Sequence, residues 1–396
     1  MVTSPSSPLP GNSADDTPIP VWMALRPRDA IQVRDGRTFT AGAGGAARTQ
    51  RPWPSTVAGA LGAAFKAAAG PGTGQAPMPQ TVRGPFLGRW ESGTARWHLS
   101  FPVPADLVPS DLPGSDWLRL LPQDTPALTD LDWDGVRWLH APEAGTRDED
   151  LWWDGPELRR YLHCEDIDSE LQSGLDPVDP PLQSERRKGI ALQNRTVRQG
   201  HLYESDYLRL RESAQEEWAF LALCELDPDL SPPPPGPVRL GGGGRLADLQ
   251  VCEGQKGLVL PEPPEHFPDG KVLVYLATPA IWRCASPDGS WRNTWLPPLP
   301  KEARLVAAAV NGPEHVASAG RETKEGDEKE YAWLRWAVPA GSVYLLRFTG
   351  ADPQSAAAEW AHRVHGRALG ETNDSDHTGK RLATAGFGLI LTGTWT

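Results

Sequence analysis

The sequence predicts an α+β fold, and three observations carry that reading. Short strand-like runs outnumber helical stretches along the chain. They do not alternate regularly with helices, as a doubly wound parallel sheet would require. The 396 residues also include 41 prolines and 40 glycines, a density that calls for many turns, long loops and insertions. No run approaches 18 consecutive apolar residues, so a membrane-spanning helix is not expected. The first 20 residues, MVTSPSSPLPGNSADDTPIP, lack the basic and apolar regions of a secretory signal. A cytoplasmic protein without a membrane partner is the expectation.

Taken in order, residues 1–20 are rich in Ser, Pro and Asp and read as a disordered tail. Residues 21–25 and 30–33 are strand material around an Arg-Pro-Arg interruption. The Gly-rich basic stretch RDGRTFTAGAGGAARTQRPWPST follows at 34–56 and runs into a helix. Val57, Leu61, Ala64, Phe65 and Ala68 fall at helical spacing, Pro54 to Thr56 supply start chemistry, and Gly70-Pro71 stops it. A strand follows at 96–104, then an acidic segment with Trp-Asp texture at 105–180, a basic-to-strand stretch at 185–210 and a buried strand at 218–226. SPPPPGP at 231–237 is a stiff spacer leading into VRLGGGGRLADLQV. Four further strands are expected at 271–278, 304–310, 342–348 and 386–395, with one helix at 352–366. No fixed-period repeat emerges.

The net charge of −12 seems to oppose a nucleic-acid partner, but its distribution reverses the inference. Residues 105–180 hold 19 acidic and 5 basic residues; the remainder holds 32 and 34. The acidity belongs to one segment, expected to be an insertion that faces solvent or a protein partner. The four cysteines, Cys164, Cys224, Cys252 and Cys284, show neither a CxxC pair nor zinc-finger spacing, and read as reduced thiols, mostly buried.

Three windows could carry chemistry. In the first, Arg34 and Arg37 leave a strand, Arg48 and Arg51 follow a Gly-rich loop, and a helix opens at Ser55-Thr56. Unpaired amides and the dipole at a helix start favour anions, and glycines let the backbone approach a phosphate. No GK[ST] follows, which argues against a nucleotide P-loop. The second window groups Arg186, Arg187, Lys188, Arg195 and Arg198 with His201, Tyr203 and Tyr207. Arginine forks grip phosphate oxygens, and aromatic rings offer stacking surfaces to unpaired bases. In the third, Gly241 to Gly244 precede Arg245, so backbone amides could face a ligand that the arginine neutralises. Each window alone is equally a solvated loop.

Catalytic and metal readings have less behind them. Asp132 and Asp134 could form a DxD metal pair but read more simply as a turn; His362 and His365 could share a metal but lack a third ligand. His201, Tyr203 and Lys188 could form a metal-independent ribonuclease site. No cofactor is expected.

In combination the windows are more specific. RDGRTFTAG, WPSTVAGALGAAF, ERRKGIALQNRTVRQGHLYESDYLRL, LGGGGRLADLQ and GFGLILTGTW occur in this order, and the order resembles the Cas-five-like RAMP subunit of type III-B CRISPR effectors, the third subunit of the Cmr complex. The resemblance covers most of residues 21–395; the tail and much of the acidic segment fall outside it.

The resemblance implies two ferredoxin-like (RRM-like) domains, at 21–255 and 256–396, the first carrying the acidic insertion. It implies a non-catalytic subunit that holds the repeat-derived 5′ tag of the crRNA and caps the complex. The implied partners are the large polymerase-like subunit and the backbone RAMP subunit, with target RNA met only indirectly. Carried over residue by residue, it places Arg34, Arg37, Thr38, Ser55 and Thr56 beside the tag. It also matches Glu185, Arg186, Lys188, Gly189, Ile190, Ala191 and Leu192, followed by Arg195, Arg198 and Tyr203, and then Gly241 to Gly244 with Arg245. A Cas-five-like endoribonuclease processing precursor crRNA is the alternative. AGFGLIL at 385–391 is reminiscent of an RNA-binding ribonucleoprotein motif but lacks its leading basic residue, and reads as a structural strand.

Overall fold

The computed structural model describes residues 17–33, 49–70, 77–111, 117–126, 135–147, 151–166, 181–212, 216–252, 258–317, 322–323, 330–331, 334–371, 373 and 375–396. The fold is α+β, dominated by strands. The first sheet comprises β1 (Ile19–Pro27), β2 (Thr81–Glu91), β3 (Arg96–Pro102) and β4 (Trp152–Asp154). Two strands that follow β4 in sequence, β5 (Leu182–Gln193) and β6 (Thr196–Leu210), form a two-stranded sheet of their own. β7 (Glu216–Leu226), β8 (Gly236–Arg239) and β9 (Leu246–Val251) complete the first sheet in the order β8-β9-β1-β7-β2-β3-β4.

The second sheet contains β10 (Lys271–Leu276), β11 (Ala303–Ala309), β12 (Val343–Phe348), β13 (Arg367–Ala368) and β14 (Leu389–Gly393). Its order is β11-β12-β10-β14-β13. All pairings in both sheets are antiparallel.

Alternation along the strands builds four layers. Helix α1 (Pro54–Ala69) packs Val57, Leu61 and Phe65 against Met23, Leu25 and Phe220 on the outer face of the first sheet. The inner face, with Ala24, Phe86 and Leu221, meets Leu273, Tyr275, Leu345 and Leu391 of the second sheet. Val272, Val274, Tyr344 and Leu346 point the other way, onto Ala357, Trp360 and Ala361 of α3 (Pro353–Val364). Period-two alternation on both sheets thus gives each strand two apolar faces, one for its helix and one for the partner sheet.

Short helix α2 (Gly155–Leu162) corrects the expected solvent-facing insertion at 105–180. Leu158, Tyr161 and Leu162 of α2, with Leu107 and Trp153, enter the core shared by the two sheets. The buried Asp106 carboxylate accepts from the Tyr161 hydroxyl at 2.6 Å, and Arg119 lies 4.1 Å over the Tyr161 ring. Burial, reinforced by the Asp106 charge, holds the Tyr161 phenol well above its ordinary range. The local acidity therefore conceals a structural element whose apolar residues lie between charged ones. The Trp-Asp texture was the sign of it.

Other boundaries also move. β1 runs through the Arg-Pro interruption to Pro27, and residues 30–33 contribute only an isolated bridge between Ile31 and Leu208. β2, central to the first sheet, is invisible to an alternation reading because Gly84, Pro85 and Gly88 interrupt it. Those residues suit the site: Gly84 sits at φ +130°, next to a register shift between Leu221 and Leu223, and Gly88 lies under the Leu221 side chain. The chain between the sheets is tied down by histidine side chains. His163, His362 and His365 meet the carbonyls of Glu262, Pro264 and Pro261 at 3.1, 2.9 and 2.7 Å. The last two histidines thus serve as braces, and no metal-holding group of His, Cys, Asp or Glu occurs among the described residues. All four cysteines are free, but only Cys224 is buried. The C-terminal AGFGLIL supplies the fully buried β14, paired with β10.

Candidate nucleic-acid interface

The second basic window forms a long hairpin. β5 and β6 turn at Asn194 and Arg195, both at positive φ (51° and 64°), as a tight two-residue hairpin turn requires. Alternation divides its residues between two faces. Arg186, Lys188, Ile190 and Leu192 point outward and are exposed; Glu185, Arg187, Gly189 and Ala191 are half-buried on the opposite face. Opposite the outward cations stand Asp206 and Glu204: Arg186 meets Asp206 at 3.1 Å, and Lys188 meets Glu204 at 3.9 Å. The outward face near the body is therefore close to neutral.

The inward face is different. Arg187, Arg209 and Arg245 all reach the carboxylate of Asp29, at 3.2, 2.7 and 2.9 Å. Glu185 bridges Arg187 and Arg209 at 2.6 and 2.8 Å. The guanidiniums of Arg187 and Arg245 lie 4.7 and 4.8 Å from the centre of the Tyr207 ring. The Ala30 amide and Arg187 stabilise the Asp29 anion and hold its pKa down to about 2. Three arginines against two carboxylates leave one positive charge in excess.

The Gly-rich loop belongs to this cluster. Gly241, Gly243 and Gly244 adopt φ values of +78°, +65° and +69°, which side-chain-bearing residues rarely tolerate. The Gly242 amide donates to the Gln32 carbonyl at 2.7 Å, and Leu240 donates to the Arg245 carbonyl at 3.0 Å. All four glycines are exposed. A Cβ on Gly241 would stand 2.5 Å from the Gln32 oxygen, so only glycine permits this approach. The next residue, Val33, is paired with Thr49 and Gln50.

Of the residues expected from sequence, Arg187, Gly241 to Gly244 and Arg245 come together. Tyr203 lies flat over Gly189 on the same hairpin face as Arg187. Arg186 and Lys188 take the other face, and Arg195 marks the exposed tip. Ser55 and Thr56 are half-buried in the first turn of α1. Arg51 turns to Glu314 (3.7 Å) and to the Trp152 ring (5.2 Å), lining a cleft of about 380 Å³ with Trp53, Phe86 and Leu208. Arg34, Arg37, Thr38, Arg48 and the side chain of Arg198 fall outside the described residues, as do Asp132 and Asp134. Sequence reading grouped Tyr207 with the second basic window but missed Asp29 and Arg209 as partners. Nothing local to Asp29 signals that three distant arginines converge there. Of the residues weighed for a ribonuclease site, Lys188 and Tyr203 occupy opposite faces of the hairpin.

Fold and site together define an α+β protein of two facing antiparallel sheets, with an exposed glycine loop that runs into a cluster of arginines around Asp29. The model of the family "CRISPR-associated protein (Cas_Cmr3)" matches residues 23–395, and the chain belongs to that family as a Cmr3-like type III-B subunit. Two solved structures are similar. One, "Cryo-EM structure of the Type III-B Cmr-beta bound to cognate target RNA", matches at 15% identity and TM-score 0.46, covering 93% of this chain and 96% of that one. The other, the same assembly bound to cognate target RNA and AMPPnP in state 1, matches at 15% identity and TM-score 0.42, covering 82% and 86%. None of the curated proteins matches. Among the described residues no helix is long and apolar enough to cross a membrane.

Proposed function

We propose that this chain is the non-catalytic crRNA-binding subunit of its type III-B effector and grips the repeat-derived 5′ tag at the Asp29 cluster. The observation that carries the reading is the meeting of Arg187, Arg209 and Arg245 at one carboxylate, with Arg245 closing the exposed glycine loop. Asp29 holds the arginines in place, and the charge in excess with the glycine amides accepts phosphates. Fixed donors of this kind position a backbone, and base reading falls to stacking and edge contacts on splayed nucleotides. Tyr203 is the ring placed for that on the hairpin face, since Arg187 and Arg245 cover Tyr207. In sequence, Arg34, Arg37, Thr38 and Arg48 lie between Val33 and Thr49, and Arg51, Ser55 and Thr56 follow.

In this account the two halves, 21–255 and 256–396, are ferredoxin-like units. Support comes from strand order: β9-β1-β7-β2 and β14-β10-β12-β11 both follow the 4-1-3-2 pattern of a βαββαβ unit. Each half has a helix in one of its two crossovers, α1 in the first and α3 in the second. The subunit would cap the complex in the cytoplasm beside the large polymerase-like subunit and the backbone RAMP subunit, meeting target RNA through the guide. Sequencing the RNA that copurifies with the native complex tests this. A common 5′ end on otherwise diverse RNAs supports it; RNA without a common end overturns it.

A further inference from the structure

The second sheet carries a row of cations that the sequence windows did not reveal. In register, Arg304 of β11 stands opposite Arg347 of β12, which stands opposite Lys271 of β10. Directly opposed residues share a face, with Cβ atoms about 4.5–5.5 Å apart, and like charges there are destabilising unless something neutralises them. The row lies on the inner face, continuing Ala307-Leu345-Leu273 of the shared core out to its rim. Arg304 and Arg347 are exposed.

No carboxylate of the described residues forms an ion pair with either arginine. Lys271 meets only the exposed Asp269, at 4.0 Å, and its ammonium sits 4.9 Å over the ring of Trp395. That indole is fixed by its own N–H, which donates to the Leu346 carbonyl at 3.0 Å. The row is at the start of β10, whereas the Arg51 cleft is lined by Ala277 and Pro279, just past its other end.

We propose that Arg304, Arg347 and Lys271 form a second phosphate-binding surface, which takes the backbone of single-stranded RNA on the C-terminal half of the chain. Three cations on adjacent strands, about 4.8 Å apart, span about 10 Å. A polyanion with a charge at every residue neutralises such a row better than an isolated carboxylate does. Guanidiniums suit the task because their forks match phosphate oxygens. The inference rests on the RNA-binding reading of the chain but not on the Asp29 cluster.

The test is the salt dependence of RNA binding by the full chain and its R304Q/R347Q variant, with tagged crRNA and with untagged oligouridine. Losing two phosphate contacts should lower the slope of log affinity against log salt by about 1.4, for both RNAs alike. The gap between wild type and variant should then narrow about sevenfold between 50 and 200 mM salt. R347Q alone should give about half the change in slope. Unchanged slopes would overturn the proposal. So would a row that binds polyglutamate, with binding lost in the variant while oligouridine is unaffected, since the partner would then be an acidic protein. Loss of tag preference with the slope difference intact would instead count against the tag reading and support this surface.

Discussion

Arg187 and Arg245 meet at one ring and one carboxylate: both guanidiniums cover Tyr207, and both bond Asp29. The first comes from the hairpin, the second from the end of the Gly-rich loop. Their shared partners fix the loop against the hairpin, so the amides and arginines form one surface instead of two independent loops. Paired charges on a half-exposed surface add little stability, but they hold geometry at the residues that would meet RNA.

Asp29→Asn should release this arrangement with a small loss of stability, about 1 kcal/mol or less for exposed pairs, and a larger loss of tagged-RNA affinity. The pH dependence has a definite sign. Because the folded-state pKa lies at about 2, below the ordinary 3.8, the contribution of Asp29 is complete above the ordinary value and lost as pH falls through about 2. Urea unfolding of wild type and variant should show a constant difference from pH 5 to 7 that shrinks toward pH 2.

Substitutions in the glycine loop should rank by backbone contact. Gly241→Ala brings a Cβ to 2.5 Å from the Gln32 oxygen at a positive φ, whereas Gly243→Ala meets open space and only the left-handed backbone cost of about 1 kcal/mol. G241A should therefore be the less stable of the two by calorimetry and the weaker binder of tagged RNA. Equal effects would mean that the Gly242–Gln32 approach does not shape the loop.

His365 should make stability fall in mild acid. Burial pulls its pKa down to about 4 from 6.5, while Nε2–H donates to Pro261 and Nδ1 accepts from the Thr392 amide at 3.0 Å. The unfolded chain binds a proton that the folded chain refuses, so stability drops as pH falls from 6.5 to 4, by up to about 3 kcal/mol. His365→Asn should be less stable at neutral pH and should lose less between pH 7 and 4.5 in denaturant titrations.

The acidic segment should prove indispensable to folding. Leu158→Ala, at a fully buried site in the shared core, should cost about 2–5 kcal/mol in unfolding free energy. Deleting residues 105–180 should give an unfolded chain by circular dichroism. A stable, folded deletion variant would show that α2 is peripheral.

Much of the fold was legible because both sheets are buried on two faces: the apolar runs at 218–226, 271–278 and 342–348 become central strands. Helix α1 announced itself through spacing, proline at the start and a glycine stop, and α3 falls within the helix expected at 352–366. β2 did not, because close strand packing required the glycines that erase its pattern. α2 did not, because its charged residues outweighed three core side chains. At the candidate site, the glycine loop and the basic windows could be read locally. Their convergence could not, since it depends on Asp29 meeting arginines from three segments. The cancellation of Arg186 and Lys188 by Asp206 and Glu204 depends likewise on hairpin register.

With the 5′ tag on the surface made by the hairpin base and the Gly-rich loop, tag nucleotides would lie against these residues. Photo-crosslinking of crRNA carrying reactive nucleotides in the tag, within the assembled complex and read by mass spectrometry, tests it most directly. Crosslinks at Tyr203, Tyr207 and the 241–245 loop are the expected result. Tag crosslinks confined to residues 105–180, or absent from this chain altogether, would contradict it.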